Sequence, residues 1–225
     1  MQKKNSYLLI LVTFVSLLSN GCKKEGVPET ITDVDGNVYH TLKIGTQVWL
    51  LENLKVSKYR NGDIIPNVTD NSAWSMLSTG ALCDIDELPA NSLTYGKLYN
   101  WYAVTDSRKI APDGWHIPSE AEWATLIAFL GGESVAGGKL RETGTEHWLS
   151  PNSTATNSSG FTGLGTGYCK VNGNFDELNF NTYFWTTTEF DINTSISYGF
   201  DGFSTESFHS DYSKQNGFPV RCIMD

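Results

Sequence analysis

GWHIPSEAEWATLIAFLGG, residues 114–132, places one histidine and two glutamates within a few positions of each other: His116, Glu120 and Glu122. Such a group is typical either of a metal or catalytic site or of the first turn of a helix. Ser119-x-x-Glu122 is a capping box, in which the Ser119 hydroxyl accepts from the Glu122 N–H and the Glu122 carboxylate accepts from the Ser119 N–H. Glu120 suits the positive end of the helix dipole. Both glutamates therefore have structural roles.

The residues that follow predict an amphipathic helix. Four apolar side chains recur at i, i+3, i+4 and i+7 and form one stripe, namely Trp123, Leu126, Ile127 and Leu130. The pair Gly131-Gly132 ends the helix. A zinc site would need a second histidine at helical spacing, whereas the other histidines lie far away in the sequence. We therefore predict a structural helix and no metal or catalytic site here.

Strand signals lie on both sides of this helix. VYHTLKIGTQVWL, residues 38–50, is typical of two short strands joined by a hairpin turn at Gly45-Thr46. After Gly160, segments rich in aromatic and β-branched residues predict further strands: FTGLGTGYCK, TYFWTTTEF, SISYGF and GFPVRCIM. Residues 95–104 are expected to form another helix, and residues 135–142 a short helical turn. Central helices and terminal strands predict an α+β fold whose sheet includes both terminal segments.

The first residues resemble a bacterial lipoprotein signal. Lys3 and Lys4 precede an apolar run from Tyr7 to Leu18, which is too short to span a bilayer comfortably, and Gly21-Cys22 follows at the expected distance. Ser19 stands where such signals usually have leucine. An ordinary secretory signal followed by a chance cysteine is therefore the alternative.

This interpretation divides the chain into three parts. Residues 1–21 are a signal peptide, residues 22–30 are a lipidated Cys22 with a polar tether, and residues 31–225 are one domain with a sizeable core. Lipid on Cys22 would attach the domain to a membrane, and we expect it in the bacterial cell envelope at the outer membrane. Residues 23–25 loosely resemble an export signal of surface lipoproteins in Bacteroidetes, which favours surface display.

The charge of the chain limits its partners. The formal net charge is −9, and loss of the signal peptide with Lys3 and Lys4 moves it to −11. An acidic chain argues against binding to nucleic acid and against electrostatic attraction to anionic lipid.

Three cysteines remain in the domain: Cys83, Cys169 and Cys222. An exported protein reaches an oxidising compartment, where disulfides persist. Three cysteines allow one bridge, and the sequence alone does not decide between the pairings. We favour a Cys83–Cys222 disulfide, which would tie the last strand to the middle of the chain and leave Cys169 as a buried thiol.

Several segments together resemble the Fibrobacter succinogenes major paralogous domain, a family of secreted and lipid-anchored bacterial proteins. The matching segments are DGNVY (35–39), IGTQVWLLENL (44–54), TYGKLYNWYAV (94–104), APDGWHIPSEAEW (111–123), GGKLRETGTEHW (137–148), YFWTTTE (183–189) and GFPVRCIMD (217–225). They cover nearly all of residues 31–225 in order. The family has no well-defined function, so the resemblance implies little about activity.

GWHIPSEAEW followed by a terminal GFPVRC also resembles the formylglycine-generating-enzyme group. That resemblance implies a C-type-lectin-like fold, with small antiparallel sheets, two or three short helices and long loops. Cysteine oxidation of that kind needs two nearby cysteines near the C-terminus. Here Cys169 stands alone and Cys222 lies in the final strand, so this activity is not expected.

Calcium-dependent sugar binding is not expected either, because the Glu-Pro-Asn, Gln-Pro-Asp and Trp-Asn-Asp triplets of lectins do not occur. The carboxylates of Asp84, Asp86 and Glu87 could bind calcium, but a solvated acidic loop is the simpler interpretation. No context marks a nucleophile with a base or a carboxylate pair, so no catalytic residue and no cofactor is predicted. A hydrolase with an unrecognised site and a purely structural envelope protein remain the alternatives.

Binding of a glycan or a surface protein by loop aromatics agrees best with these observations. Four aromatic residues lie in polar, glycine-rich or serine-rich surroundings and are the candidate ligand contacts: Trp148, Tyr168, Phe203 and Tyr212. Aromatic rings stack on sugar faces, and binding sites often lie on loops. The alternative is that these rings pack in the core or between strands.

Overall fold

The computed structural model describes residues 27–225. Within this range the strands are β1 Thr30–Thr32, β2 Val38–Ile44, β3 Gln47–Leu50, β4 Leu82–Cys83, β5 Leu98–Tyr99, β6 Trp115–His116, β7 Tyr168–Cys169, β8 Phe175–Asp176, β9 Asn181–Glu189, β10 Thr194–Asp201, β11 Ser207–Ser213 and β12 Ile223–Met224. The helices are α1 Asn71–Ser75, α2 Pro89–Tyr95, α3 Trp101–Val104, α4 Glu120–Phe129 and α5 Glu133–Leu140. The predicted signal peptide and Cys22 lie outside the described residues.

One sheet joins both ends of the described chain, as the sequence predicted. Its strand order is β1-β2-β3-β12-β6, and its strand pairs are antiparallel. The predicted hairpin is present, with β2 and β3 joined at Gly45-Thr46. The last strand, β12, lies between β3 and β6, where Ile223 is opposite both Trp49 and His116.

A second sheet, in the order β11-β10-β9, supplies the two main aromatic faces. Side chains alternate along its strands, so neighbouring residues point to opposite faces. On one face Phe184 and Tyr198 pack against Trp123 of α4, and we call it the helix side. On the other face Tyr183 and Trp185 pack against Phe218, and we call it the loop side.

The helix predicted from the capping box is α4. The Ser119 hydroxyl accepts from the Glu122 N–H, and the Glu122 carboxylate accepts from the Ser119 N–H. The stripe predicted to face the core is buried, with Trp123, Leu126, Ile127 and Leu130 between 1% and 6% exposed. The helix ends before Gly131-Gly132, where both glycines have positive φ. Helix α5 lies at the predicted helical turn.

The helix predicted over residues 95–104 is wrong. Gly96 has φ 79° and ends α2, after which Leu98 and Tyr99 form β5 and pair with Leu82 and Cys83. Only Trp101–Val104 is helical, and Asn100 caps it. Strand pairing to a segment earlier in the chain overrides the local helical pattern, and a sequence window does not contain that partner.

The structure does not join Cys83 to Cys222, the disulfide favoured from the sequence. Cys83, Cys169 and Cys222 are all buried and carry free thiols. Cys222 belongs to the large core cluster with Trp115 and Val220, whereas Cys83 belongs to a separate small cluster that also contains Cys169. The two segments therefore meet different parts of the core.

The described chain is an α+β domain of small antiparallel sheets and a few short helices. Within residues 27–225, no helix combines the length and the apolar character needed to cross a membrane.

Candidate functional site

The loop side gathers five side chains into a half-exposed surface. Tyr183 of β9 lies at its centre, Tyr168 comes from β7, and Phe208 and Tyr212 come from β11. The fifth is Glu177, in the turn that follows β8. We call Tyr168, Glu177, Tyr183, Phe208 and Tyr212 the tyrosine surface.

The aromatic rings pack edge to face around Tyr183. The ring centroids of Tyr168, Tyr212 and Phe208 lie 5.2, 5.3 and 5.6 Å from that of Tyr183. Phe218 stacks on Tyr183 with an interplanar angle of 15°. Edge-to-face contacts at such distances are favourable and hold each ring in one orientation. The surface is therefore rigid although Tyr168, Phe208 and Tyr212 are only half-buried.

A carboxylate fixes the central tyrosine. The Tyr183 hydroxyl donates to Glu177 Oε2 at 2.7 Å, and the Asn181 side-chain amide donates to the same oxygen at 2.8 Å. Burial, and then the hydrogen bond to Glu177, raise the pKa of Tyr183 well above its ordinary value. The phenol therefore stays neutral and keeps its proton for this bond.

Backbone geometry brings the carboxylate to the tyrosines. Gly167 has φ 61°, and a Cβ atom there would collide with the carbonyl oxygen of Asp176 and the N–H of Leu178. Glycine therefore permits the turn that carries Glu177 to approach β7. Glu177 itself has φ 62°, a conformation that is uncommon for residues other than glycine.

Negative charge surrounds the tyrosine surface. Burial first, and then the charge of Glu177, raise the pKa of Tyr168, with a smaller contribution from Asp176. Burial also raises the pKa of Tyr212, to which Glu177 and Asp211 contribute. Asp176 forms an ion pair with Lys170, which offsets part of this charge.

The structure separates the four aromatic residues predicted to bind a ligand. Tyr168 and Tyr212 meet at the tyrosine surface. Phe203 lies elsewhere on an exposed aromatic pair, with its ring centroid 4.7 Å from that of Phe180. Trp148 is 1% exposed, and its indole N–H donates to the carbonyl of Gly163. Trp148 is therefore a core residue. The groups that pack on its ring come from other segments of the chain, so its polar neighbours in sequence did not indicate its burial.

Sequence reasoning missed Tyr183, Phe208 and Glu177. The alternation of side chains along a strand could have identified Tyr183, because Tyr183 and Phe184 must face opposite sides of the sheet. Phe208 lies in SFHSDYS, a segment that was not predicted to be a strand because serine, histidine and aspartate dilute its aromatic residues. Glu177 carried no local signal, since its role depends on the turn at Gly167.

A separate cleft of about 450 Å³ lies beside β6 and the end of α3. Its lining includes apolar groups of Val104, Ile110 and Trp115 together with His116 and Asp225. We call it the His116 cleft. Its rim also contains Asp106, Lys109 and Thr187.

His116, Asp106 and Asp225 of the His116 cleft already have charged hydrogen-bond partners. His116 Nε2 lies 2.8 Å from Glu122 Oε1, and Nδ1 lies 2.7 Å from Asp225 Oδ1. Burial lowers the pKa of His116, but the hydrogen bonds to Glu122 and Asp225 outweigh it, so the pKa is raised. Asp106 accepts from Arg108 through both carboxylate oxygens. An imidazolium that donates from both nitrogens has no free lone pair and cannot act as a base.

One carboxylate of the acidic loop considered for calcium already has charged and hydrogen-bonded partners. Asp84 is buried and contacts the Lys97 ammonium and the Ser92 hydroxyl. Asp86 and Glu87 follow in a turn with positive φ. Within residues 27–225, no group of three or more histidine, cysteine or carboxylate side chains is arranged to hold a metal ion.

The fold and its surfaces define a small α+β domain that offers an aromatic, acidic face. The family follows from a comparison with protein-family models: the Fibrobacter succinogenes major domain matches residues 42–224. The chain belongs to this family. No curated protein and no solved structure matches the chain.

Proposed function

We propose that this domain is a non-catalytic recognition module that binds neutral or amino-bearing glycans at the tyrosine surface. One observation carries the proposal: half-exposed Tyr168 and Tyr212 flank a Tyr183 whose hydroxyl is fixed by Glu177. Sugar rings have apolar C–H faces that stack on aromatic rings, and their hydroxyls donate well to carboxylates. A rigid aromatic surface with a central carboxylate offers both kinds of contact without ordering flexible side chains first.

The charge of the surface selects the class of glycan. Asp176, Glu177 and Asp211 all act on the tyrosine hydroxyls, so the local potential is negative. A uronic acid or a sialic acid would be repelled, whereas a neutral sugar would not and an amino sugar would be attracted. The His116 cleft supports the proposal less well, because a ligand there would have to break existing ion pairs.

The setting of the module is part of the same proposal. The order of residues at the N-terminus supports lipidation of Cys22 and attachment at the outer membrane of the cell envelope, where a glycan-binding domain would act in adhesion. Resemblance of GWHIPSEAEW and GFPVRC to the formylglycine-generating-enzyme group supports a C-type-lectin-like fold. The sheet shared by both terminal segments agrees with that fold.

Titration of the full chain with defined oligosaccharides tests this function. Neutral glucan and N-acetylglucosamine oligomers, deacetylated glucosamine oligomers and polygalacturonate would be compared, with calcium and with a chelator. Neutral and amino-bearing oligomers should bind under both conditions, and the polyuronate should not. Absence of binding by every neutral and amino-bearing oligomer would overturn the proposal, and binding lost with the chelator would indicate a metal site instead.

Single variants locate the site. Tyr168→Ala and Tyr212→Ala should each weaken binding by about fivefold, since one aromatic contact contributes about 1 kcal/mol. Glu177→Gln should reduce the discrimination against the polyuronate. Tyr102 is half-buried on α3 and is not part of the tyrosine surface. Tyr102→Ala is therefore the matched control and should bind the oligosaccharides normally. Equal losses of oligosaccharide affinity in Tyr102→Ala and Tyr212→Ala would refute the assigned site.

A further inference from the structure

Two of the three buried cysteines share one small core cluster. Cys83 and Cys169 are each 1% exposed and pack in the cluster that contains Trp74, Tyr95 and Leu98. Cys222 lies in the large central cluster, away from both. Cys83 and Cys169 therefore form a neighbouring pair, and Cys222 is separate from them.

Strand pairing explains how distant segments supply this pair. Cys83 of β4 is opposite Leu98 of β5, and Cys169 of β7 forms a bridge with Gly217. Gly217 also lies close to β5: a Cβ atom there would be 3.0 Å from the Cys169 Cβ and 3.3 Å from the Leu98 Cβ. Because Gly217 has no side chain, β7 can pack closely against the β4–β5 pair.

The two thiols are near enough to influence each other. Burial, and then the side chain of Cys169, raise the pKa of Cys83. Cys222 shows no such influence of another cysteine: burial is the main cause that raises its pKa, while the charges of Arg221 and Arg60 oppose it. The ionisation behaviour thus agrees with the packing.

We propose that Cys83 and Cys169 form a disulfide bond in the exported protein and that Cys222 remains a free buried thiol. Such a bond would join β4 to β7 across the small cluster, and it would close a long loop that contains α4 and α5. Closing a long loop restricts the unfolded chain, which is the usual origin of disulfide stabilisation.

The chemistry requires a protein disulfide as oxidant. One cysteine thiolate attacks a sulfur of the oxidant's disulfide and forms a mixed disulfide, and the second thiolate then displaces the oxidant as a thiol. The two cysteines lose two protons and two electrons and gain one S–S bond, while the oxidant's disulfide is reduced to a dithiol. Because the folded core covers both sulfurs and keeps an oxidant from reaching them, this exchange belongs to folding, before the small cluster closes.

Peptide mapping of the full exported chain tests the bond directly. Free thiols would be alkylated during lysis, and the protein would be cleaved by trypsin without reductant. The three cysteines fall in separate tryptic peptides, namely 61–97, 142–170 and 222–225. We expect 61–97 joined to 142–170, with a mass two hydrogens below the sum of the two, and 222–225 alkylated. Recovery of 61–97 and 142–170 as separate alkylated peptides, or of 61–97 joined to 222–225, would overturn the proposal.

Reduction provides a second test with a matched control. Reductant should lower the melting temperature of the native chain and of Cys222→Ala by about 5–10 °C, as expected for a long disulfide loop in a domain of this size. It should leave the melting temperature of Cys83→Ala and Cys169→Ala unchanged. If reductant lowered the melting temperature of Cys83→Ala as much as that of the native chain, the proposed bond would be contradicted. Peptide mapping of the native chain tests the bond even if these variants do not fold.

Discussion

The two faces of the β9–β10–β11 sheet carry aromatic residues of the same kinds but leave them in different states. On the helix side, Phe184 and Tyr198 are at most 4% exposed because α4 covers them with Trp123. On the loop side, Trp185 of β9 is fully buried against Phe218, but Phe208 and Tyr212 of the edge strand β11 remain half-buried because only loops and short strands cover that part of the face. The cover of a sheet face, rather than the residues on it, decides whether aromatic side chains act as core or as surface.

The hydroxyl groups show the same difference. Burial raises the pKa of Tyr198 to about 12, and its ring stacks on Trp123 at an interplanar angle of 10°. Tyr183 on the opposite face donates to Glu177 at the edge of the tyrosine surface. One tyrosine therefore contributes mainly by packing, and the other by a hydrogen bond that a ligand could approach.

The largest expected effect is on the helix side. Trp123→Ala removes a ring that contacts Trp49, Phe161, Phe184 and Tyr198, and it should lower the free energy of unfolding by about 3–5 kcal/mol. Urea unfolding measures the loss. Phe203→Ala removes an exposed ring and should cost less than about 1 kcal/mol. Similar losses in the two variants would break the comparison between covered and open aromatic residues.

A matched pair of tyrosines sharpens the comparison. Tyr198→Ala should lower the free energy of unfolding by about 3 kcal/mol, because Tyr198 is buried against α4. Tyr212→Ala should lower it by only about 1 kcal/mol, because Tyr212 is half-buried. Both are tyrosine-to-alanine changes in one sheet, with Tyr198 in the central strand β10 and Tyr212 in the edge strand β11. Chemical denaturation of both variants gives the difference, and a larger loss for Tyr212→Ala would show that the loop side is the better packed face.

A smaller change isolates the hydrogen bond at the tyrosine surface. Tyr183→Phe keeps the ring but removes the hydroxyl that donates to Glu177. It should lower the free energy of unfolding by about 1–2 kcal/mol, as expected for a hydrogen bond to a charged acceptor. Tyr212→Phe serves as the control and should change the stability by less than about 0.5 kcal/mol. Denaturant titration compares them, and an unchanged Tyr183→Phe variant would mean that the Glu177 contact does not stabilise the fold.

The smallest expected effect concerns the start of α4, the helix that covers the helix side. The pKa of His116 is raised from 6.5, so its stabilising contribution is complete below about pH 6.5 and is lost as the pH rises through the raised value. The pKa of Glu122 is lowered from 4.5, so its contribution is complete above about pH 4.5 and is lost as the pH falls through the lowered value. The ion pair therefore stabilises most between these limits.

His116→Gln tests this window. The melting temperature of the variant should fall below that of the native chain by more at about pH 5.5 than at about pH 9, because the stabilising charge of His116 is lost as the pH rises through its raised pKa. His147→Gln controls for loss of a histidine that contacts a single carboxylate residue, Glu142. A deficit of His116→Gln that is the same at both pH values would exclude an ionic role for His116.

Local sequence signals predicted the parts of the fold that depend on a few neighbouring residues. The Ser119–Glu122 capping box and the apolar stripe of α4 lie within three turns of helix, and Gly45-Thr46 alone sets the β2–β3 turn. The cap, the apolar spacing and the turn residues that specify these elements are all local, so the prediction and the structure agree even though the stripe of α4 then packs on distant residues such as Trp49 and Phe184.

The elements that were missed depend on distant partners. Residues 98–99 pair with residues 82–83, and β11 needs β10 beside it to order a polar segment. Trp148 is buried by the segments around Phe200 and Gly163, far from its own polar neighbours. The site follows the same rule: Tyr168 and Tyr212 were predicted one by one, but only the fold brings Tyr183 and Glu177 between them.

The central position of β12 has a consequence for the order in which this sheet can form. Without residues 223–224, β3 has only β2 beside it and β6 has no neighbour in the sheet, since β12 pairs with both β3 and β6. Sheets assembled from such distant segments fold slowly, because the entropy of closing the loop is lost before the contacts form. The sheet therefore cannot be completed until residues 223–224 have been synthesised, whereas the β2–β3 hairpin needs only residues 38–50.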